Sequence, residues 1–294
     1  MSFLKSILRW LSAKYLFNHN YADFEVNNKK MLLDLGTDGI SRALALYKTR
    51  ERDKVFLINQ LNLKGKTVLD LGANIGYYSL ILSDRVGKNG SVFCVEPDPR
   101  NVRLLKANCA LFGSENIKSI NQIALSEKDG TIDLFLSGKS NLSTLIRNMG
   151  DNFNKSKVKV NCLKYKTFVK SFNLEQLELV RMDIEGYEQF LIPQIIEVTP
   201  YCNILFEVHS VNYEEKFKKF LNSISKDYKL EYVISTQGGR KIMQDKFNLK
   251  AISRIKSDKR SRYLYKNLDS KIMSELICHE PRIIRYALIK KKNK

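Results

Sequence analysis

The residues best suited to hold a ligand closely lie in the segment TVLDLGANIGYYSL, which spans residues 67–80. An apolar run ends at Asp70, a turn containing Gly72 and Gly76 follows, and a helical pattern begins near Tyr77. Because glycine has no Cβ, the backbone of such a turn can approach a bound molecule closely. The alternative is an ordinary strand-to-helix connection that needs glycine only for its own geometry.

A carboxylate at the end of the next apolar run narrows the choice of ligand. Glu96 follows the run Ser91–Val95, and a carboxylate there can accept hydrogen bonds from both hydroxyls of an adenosine ribose. The dinucleotide pattern G-x-G-x-x-G is not met, since counting from Gly72 puts Asn74 and Tyr77 where glycines are needed. This pattern favours S-adenosyl-L-methionine, a nucleoside methyl donor without a pyrophosphate. A Glu96 with a purely structural role is the alternative.

Three further polar residues follow later apolar runs. Asp183 and Glu185 lie in RMDIEG, and His209 lies in FEVH. A hydroxyl acceptor needs a base to take its proton, and the ordinary pKa of histidine suits that task. All three are candidates for the base, and we predict His209 in that role, with Asp183 and Glu185 as the other catalytic residues. The alternatives are carboxylates that only complement a helix dipole and a histidine that only satisfies local hydrogen bonds.

A divalent metal ion is a second way to activate a hydroxyl, because it lowers the pKa of the hydroxyl directly. Asp183, Glu185, Glu207 and His209 offer oxygen and nitrogen ligands, but their spacing matches no metal signature. We predict no metal site and keep metal assistance as the alternative.

Short β-branched runs alternate with helical patterns along most of the chain. Such repeated strand–helix units predict an α/β fold: a Rossmann-like, mostly parallel, seven-stranded sheet with helices on both faces. Two alternating runs, 131–136 and 158–163, predict an inserted β-hairpin. The predicted strands are 67–71, 91–95, 117–123, 179–183, 203–208, 230–235 and 282–289, and the predicted helices lie near 39–62, 77–84 and 100–112. Ligands of such sheets bind beyond the carboxyl ends of the strands.

The sequence resembles the FkbM-type methyltransferases over roughly residues 36–290. The resemblance is carried by DLGANIGYYS (70–79), EPDPRNVRLLKANCAL (96–111), QIALSEKDGTIDLF (122–135), VRMDIEGYEQFLI (180–192) and ILFEVH (204–209). It implies a class I methyltransferase fold, S-adenosylmethionine as donor, and methyl transfer to a hydroxyl of a glycan, glycolipid or similar metabolite. The segment KTRERD also carries an acidic position typical of the family, Glu51.

The resemblance also implies which residues bind the donor. Asp70 and Gly72 are expected to line its amino-acid end, Glu96 to hold the ribose, and the loop Gln122–Ser126 to flank the adenine. The cofactor-binding residues that we predict are Asp70, Gly72, Asn74, Gly76, Tyr77, Glu96, Pro97, Gln122, Ala124 and Ser126.

The composition of the chain indicates which classes of partner it attracts. The net charge is +19, and residues 237–294 hold 17 Lys/Arg against 5 Asp/Glu. Such a field attracts nucleic acid, acidic lipid or acidic glycan, although a compositional bias of the genome explains it equally well. The 5 cysteines form no CxxC pair, which indicates neither a disulfide framework nor a zinc cluster.

Two domain-level predictions follow from the N-terminal part. Residues 1–35 contain a basic amphipathic helix over 2–17, and residues 36–294 form one methyltransferase domain with a basic C-terminal part. The helix either packs on a protein surface, its own or that of a second subunit, or lies on an anionic membrane. With no export signal and no span of about 20 apolar residues, we expect a cytoplasmic protein, with peripheral association with the inner face of the membrane and homo-oligomers as open possibilities.

Two other functions compete with O-methylation. The basic tail fits an RNA or DNA methyltransferase, but the Asp183–Gly186 segment lacks the Asn/Asp-Pro-Pro-aromatic pattern against which a base stacks. A non-catalytic binding protein is expected to have lost the glycine turn or Glu96, and both are present.

Overall fold

The structure is a computed structural model, and it describes residues 20–36, 39–112, 115–137, 143–146, 156–210, 213–257 and 260–292, with Ile7 and Leu11 as isolated positions. The predicted N-terminal helix over 2–17 lies outside the described residues apart from those two positions. The prediction of a separate N-terminal segment stays a prediction.

Fourteen strands and eight α-helices occupy the described residues, together with a 3-10 helix (Ser270–Ile272) and a π-helix (Glu275–His279). The strands are β1 (Tyr21–Val26), β2 (Lys29–Asp34), β3 (Thr67–Leu71), β4 (Ser91–Val95), β5 (Ile117–Asn121), β6 (Ala124–Ser126), β7 (Gly130–Leu136), β8 (Ser156–Lys164), β9 (Leu179–Met182), β10 (Asn203–Glu207), β11 (Tyr228–Ser235), β12 (Ser253–Ser257), β13 (Arg260–Leu268) and β14 (Ile284–Lys291). The helices are α1 (Ile40–Tyr47), α2 (Arg52–Asn59), α3 (Tyr77–Val86), α4 (Pro99–Phe112), α5 (Tyr165–Phe172), α6 (Glu188–Val198), α7 (Glu215–Ile224) and α8 (Gly239–Phe247).

The main sheet is the predicted one with two more strands. Its order is β12-β13-β11-β14-β10-β9-β3-β4-β5, and the five strands from β10 to β5 are parallel. Strand β14 runs antiparallel between β10 and β11, as a return strand at one side of the sheet. With β11 and the five parallel strands, β14 completes a seven-stranded, Rossmann-like part of the sheet, which confirms the predicted α/β fold class.

The predicted strand number is wrong, because β12 and β13 extend the sheet beyond β11. Strand β12 has the sequence SRIKS, whose single apolar residue shows no alternation that a sequence pattern could reveal. A strand of this kind is stabilised by the edge it joins rather than by its own hydrophobic face.

Two buried layers cover the faces of the sheet. Side chains of successive strand residues point to opposite faces, so Val68 packs with the layer of α1–α4, whereas Leu69 and Leu71 pack with the layer of α5–α7. Burial on both faces explains why the central strands are continuous apolar runs. The helices therefore lie on both faces, as predicted.

Smaller elements attach to this core. The inserted hairpin is confirmed as β7 and β8, which are antiparallel, and β6 adds a third strand parallel to β8. The predicted strand over 117–123 ends at Asn121. The predicted helix over 39–62 is two helices, α1 and α2, separated by a turn in which Lys48 and Glu51 have positive φ. Strands β1 and β2 pack on α4, where Leu32 and Asn108 exchange two hydrogen bonds.

A search of the described helices finds none whose length and apolar content suffice for a membrane span.

Candidate active site

The carboxyl ends of β3, β4, β9 and β10 meet at one edge of the sheet, where two adjoining clefts open. The apolar cleft is lined by Leu71, Gly72, Asn74, Val95, Glu96, Pro97, Asn101, Ala124, Leu125, Leu134, Ser143–Leu145, Asp183, Ile184, Glu185, Tyr187 and Leu191. The polar cleft is lined by Ile40, Arg50, Glu51, Gly72–Asn74, Tyr77, Tyr78, Arg181, Asp183, Glu185, Glu207, His209 and Arg285. Four residues border both clefts: Gly72, Asn74, Asp183 and Glu185.

The glycine turn is held against the neighbouring strand. Gly72 has φ +73°, and a Cβ at this position would lie 2.1 Å from the carbonyl oxygen of Asp183. Only glycine allows this approach, because the left-handed conformation and the short distance both exclude a side chain. Gly76 also has a positive φ, but a Cβ there would meet Leu105 of α4, so this glycine permits helix packing. The turn thus brings the end of β3 to the end of β9.

Glu96 lies at the wall of the apolar cleft as a buried carboxylate. It accepts hydrogen bonds from the backbone N–H of Asn74 at 2.8 Å and of Asp98 at 2.9 Å, and from the Asn101 amide at 3.4 Å. Burial raises the pKa of Glu96 to about 7, although these hydrogen bonds oppose the rise. The apolar cleft therefore combines an apolar wall with one buried acidic group, Glu96, whose charge changes near neutral pH.

The predicted cofactor residues divide into two sets. Gly72, Asn74, Glu96, Pro97 and Ala124 line the apolar cleft, and Tyr77 lines the polar cleft. The other four predicted residues line neither of these clefts: Asp70, Gly76, Gln122 and Ser126.

Asp70 lies behind the turn because the register of β3 and β9 places it beside Arg181. Its carboxylate accepts a hydrogen bond from Arg181 Nη1 at 3.0 Å and from the hydroxyl of Ser79 at 2.7 Å, and the side chain is fully buried. Ser126 is similarly occupied, since its hydroxyl donates to the carbonyl of Lys128. Asp70 and Ser126 therefore lie behind the residues that line the cleft and support them.

The polar cleft contains the predicted catalytic residues. His209 Nε2 lies 3.4 Å from Glu185 Oε2 and 3.7 Å from Asp183 Oδ1, so the structure brings all three together. Behind the ring, Nδ1 lies 3.2 Å from Oε1 of the fully buried Glu188. His209 therefore lies between carboxylates on both sides of its imidazole.

These carboxylates decide the charge of His209. Burial alone lowers the pKa of the imidazole, but Glu188 and Glu185 outweigh burial and raise the pKa well above its ordinary value. A histidine in this state carries a proton at neutral pH. It becomes a base only at a pH high enough to remove that proton, which changes the condition under which its predicted role applies.

Cations neutralise the remaining carboxylates of the cleft. Arg181 Nη2 donates to Asp183 Oδ2 at 2.9 Å, and Lys54 Nζ donates to the same oxygen at 2.8 Å. Despite its burial, the carboxyl of Asp183 consequently has a pKa well below its ordinary value. Glu207 differs, since burial and the neighbouring charge of Asp183 raise its pKa to about 7.

Sequence reasoning missed several residues of this network. Arg181 lies on β9, two positions before Asp183. Arg285 is the second residue of the return strand β14, and its Nη2 lies 2.8 Å from Glu207 Oε1. Lys54 is one of many lysines in a basic chain, so its type and position carry no signal. A charged residue inside the apolar run of a strand, as Arg181 is, was the signal available.

Two groups of side chains have the donor atoms that a divalent metal needs. They are Asp183, Glu185 and His209, and Glu51, Asp183 and Glu207, with ligand atoms within 4.8 Å of one another. In both groups Asp183 Oδ2 already accepts from Lys54 and Arg181. Our expectation of no metal stays a prediction.

Residues 70–234 match a family model described as the methyltransferase FkbM domain, which covers more than half of the chain. The chain belongs to this family. It is therefore a methyltransferase, and its methyl donor is S-adenosyl-L-methionine. A comparison with curated proteins finds no match.

The chain is also similar to solved structures at low identity. The M. jannaschii TYW2 complex with AdoMet is 12% identical with a TM-score of 0.45, over 93% of this chain and 87% of that one. An O-methyltransferase from Thermotoga maritima is 12% identical with a TM-score of 0.43, over 94% and 87%. The FkbM methyltransferase from Methylobacillus flagellatus is 17% identical with a TM-score of 0.33, over 51% of this chain and 35% of that one.

The clefts of this FkbM-family protein fit the donor on structural grounds. Gly72 and Asn74 border the junction of the clefts, and Glu96 offers a buried carboxylate beside apolar side chains. An adenosine presents an apolar ring face and a pair of hydroxyls, which such a wall can recognise. The residues present therefore match the chemistry of the donor.

Proposed function

We propose that this protein is an O-methyltransferase whose acceptor is a hydroxyl of a glycan, glycolipid or similar metabolite. The observation that carries the proposal is the junction of the two clefts. Asp183 and Glu185 border the apolar cleft on one side and, with His209, the polar cleft on the other. A hydroxyl held in the polar cleft lies next to groups that can accept its hydrogen.

The polar cleft suits a polyhydroxylated acceptor better than a nucleobase. Its charged groups of both signs can form directed hydrogen bonds with neighbouring hydroxyls. The ring of Tyr78 is covered by Arg181 at 4.2 Å and by Lys54 at 4.7 Å, and the Tyr77 hydroxyl donates to the carbonyl of Arg50. The cations over Tyr78 occupy a face that a base would need for stacking.

The bound donor supplies a methyl group on a positively charged sulfur, which is electrophilic without further activation. The bound donor would give up this methyl to the acceptor oxygen, with its carbon–sulfur bond breaking and the thioether leaving, so the hydroxyl proton would have to pass to a base of this chain. Asp183 stays ionised and orients the hydroxyl, His209 takes the proton at a pH where its ring is neutral, and Glu185 holds the ring in place. Positioning of the reacting atoms supplies much of the remaining rate.

Labelled methyl donor incubated with a panel of neutral and acidic oligosaccharides, glycolipid vesicles and total RNA tests the proposal. We expect the label in the glycan or glycolipid fraction and expect it to survive mild alkali, because a methyl ether resists hydrolysis and a methyl ester does not. Glu96→Ala serves as the control variant and is expected to abolish labelling and donor binding. Label found in RNA alone contradicts the proposal.

A further inference from the structure

Lys54 is a charged side chain buried at the floor of the polar cleft. Its side chain is 1% exposed, and its Nζ lies 2.8 Å from Asp183 Oδ2, 3.0 Å from Glu51 Oε2 and 3.1 Å from Glu207 Oε2. The rings of Tyr78 and Tyr286 lie on it as well, with centroids 4.7 and 4.6 Å from Nζ. One ammonium group thus satisfies three carboxylates and contacts two aromatic faces.

The partners of Lys54 come from separate parts of the fold. Glu51 precedes α2, Asp183 follows β9, and Glu207 ends β10, where its strand register places it opposite Tyr286 of β14. Lys54 itself and Tyr286 lie outside residues 70–234, the part that matches the family model. The floor of the cleft is therefore completed by segments on either side of that part.

We infer that Lys54 is a positioning residue for methyl transfer, which fixes Asp183 and Glu207 at the floor of the polar cleft and acts on the reaction through them. The inference rests on the proposed function for the roles of Asp183 and His209. It assigns to Lys54 no contact with the donor or the acceptor, because its side chain is shielded from the cleft.

The physical reason is charge compensation in a buried place. Burial alone lowers the pKa of Lys54, but the carboxylates of Asp183, Glu51 and Glu207 raise it, so the ammonium stays charged. Without it, Asp183 keeps Arg181 and His209, and Glu207 keeps Arg285 and His209, but each loses one of three cations. A buried carboxylate that loses a cation moves or takes up a proton.

The same change reaches His209, whose Nε2 lies 3.7 Å from Asp183. The groups that face this region are Arg50, Glu51 and Lys54 of the α2 segment, Tyr78 of α3, Arg181, Asp183, Glu185 and Glu188 around β9 and α6, Glu207 of β10, and Arg285 and Tyr286 of β14. Of the five cations here, His209 lies near four carboxylates and Lys54 near three, whereas each arginine pairs with at most two. Removal of Lys54 leaves the imidazole among carboxylates with less positive charge nearby.

The first measurement needs no acceptor. The chain has 3 histidines, so NMR titration of their ring signals in labelled full-length protein follows His209 directly. In Lys54→Met we expect the pKa of His209 to rise further by about one pH unit, since a nearby positive charge is lost. Lys66→Met is the matched control, because Lys66 is half-exposed and lies 3.6 Å from Glu178, and it should leave the titration unchanged.

The second measurement uses turnover with the acceptor found in the glycan panel. In Lys54→Met we expect kcat to fall about tenfold or more, because the reacting groups are positioned less well. The affinity for S-adenosylhomocysteine should stay within about threefold of the wild type. The acid limb of the pH profile of kcat should move to higher pH. If Lys54→Met does not fold, the double variant Glu51→Gln/Lys54→Met replaces it. The double variant leaves fewer buried carboxylates without a cation, because residue 51 is then uncharged.

A folded variant with wild-type His209 titration and wild-type kcat overturns the inference. A shifted titration with no glycan labelled by the wild-type protein would instead count against the proposed function.

Discussion

Two opposing effects act on the carboxylate of Glu96. Burial disfavours its charge, while backbone N–H groups of Asn74 and Asp98 favour it, and burial is the stronger effect. The result is a pKa of about 7, so the group that is to hold the ribose is only partly ionised at neutral pH. Single residues of this site thus have properties set by their surroundings rather than by their type.

Donor binding is expected to depend on pH through Glu96. Below pH 7 the carboxyl is protonated and can no longer accept hydrogen bonds from both ribose hydroxyls, so affinity should fall as the pH decreases through about 7. Hydrogen bonds to a charged group contribute about 1.5–3 kcal/mol, which corresponds to a loss of about tenfold or more. Calorimetry with S-adenosylhomocysteine at pH 6, 7 and 8 measures this change of affinity. Glu96→Gln should bind weakly with no such pH dependence, and equal affinity of the wild type at all three pH values contradicts the prediction.

His209→Ala is expected to separate chemistry from binding. Loss of a general base typically lowers kcat by about 10²–10⁴-fold, whereas the residues predicted to bind the donor are unchanged, so the donor should bind with nearly unchanged affinity. Labelled-donor turnover and calorimetry measure the two effects. His279→Ala is the control, since that histidine is half-exposed and pairs with Glu275 on the surface. Full activity of His209→Ala would show that another group takes the proton.

If His209 is the base, as proposed, its raised pKa is expected to set the pH at which the enzyme works. Because Glu188 and Glu185 hold the proton on the ring, kcat should rise with pH through a value well above 6.5, the ordinary pKa. A pH profile of turnover measures this. An acid limb near pH 4 to 5 instead would point to a carboxylate as the base.

Among the elements, the turn after β3 has the least freedom to vary. It joins β3 to α3 and touches the end of β9 through Gly72, so a change there displaces two strands at once. The hairpin of β12 and β13 lies elsewhere, because it packs on α2 and contacts Asp53 of that helix. Ser257 of β12 donates to Asp53 Oδ1 at 2.6 Å, and Arg262 of β13 lies 3.4 Å from Asp53 Oδ2.

Gly72→Ala is expected to lower the free energy of unfolding by about 3 kcal/mol or more, because the new Cβ combines backbone strain with a clash. The clash is with the carbonyl oxygen of Asp183, 2.1 Å away. Gly65→Ala is the matched control, with φ +72° and no atom within 4 Å of a new Cβ, and should cost about 1–2 kcal/mol. Urea unfolding measures both. Equal losses in the two variants would mean that the contact with Asp183 has no effect on stability.

Ser257→Ala is expected to lower the free energy of unfolding by about 1–3 kcal/mol, since it leaves a buried carboxylate without one hydrogen-bond donor. Ser253→Ala in the same strand is exposed and should change stability by less than about 0.5 kcal/mol. Thermal unfolding of the two variants side by side tests whether the hairpin stabilises α2 through Asp53. Equal melting temperatures would contradict it.

The whole molecule carries a charge of +19, and this charge acts over a longer range than any single contact. Non-specific attraction to RNA is expected at low salt. At physiological salt the Kd should be about 10⁻⁶–10⁻⁴ M, with a steep salt dependence, as for proteins that contact only phosphates. Fluorescence anisotropy with a labelled RNA at 50 and 200 mM salt measures this. Tight binding at 200 mM salt together with methyl incorporation into RNA would favour the nucleic-acid function instead.

Much of the fold was predictable because its signals are local. The central strands are apolar runs that follow from burial on both faces, and the glycine turn follows from positive φ at Gly72 and Gly76. Strands β12 and β13 were not predicted, because their charged and tyrosine-rich sequences do not show which face of the strand is buried. Asp70 was predicted to line the donor site, but its carboxylate accepts a hydrogen bond from Arg181 of the neighbouring strand. Arg181 is 111 residues away in the chain.

The sequence by itself determined the strand–turn–helix unit with Glu96 beyond it, since backbone conformation and hydrophobic periodicity are properties of neighbouring residues. Tertiary structure alone decided the charges of the polar cleft. Lys54 meets Asp183 and Glu207 across 129 and 153 residues of chain, and Glu188 lies behind His209 only because α6 follows β9. Electrostatic interactions depend on distance in space and on burial, and strand order sets both.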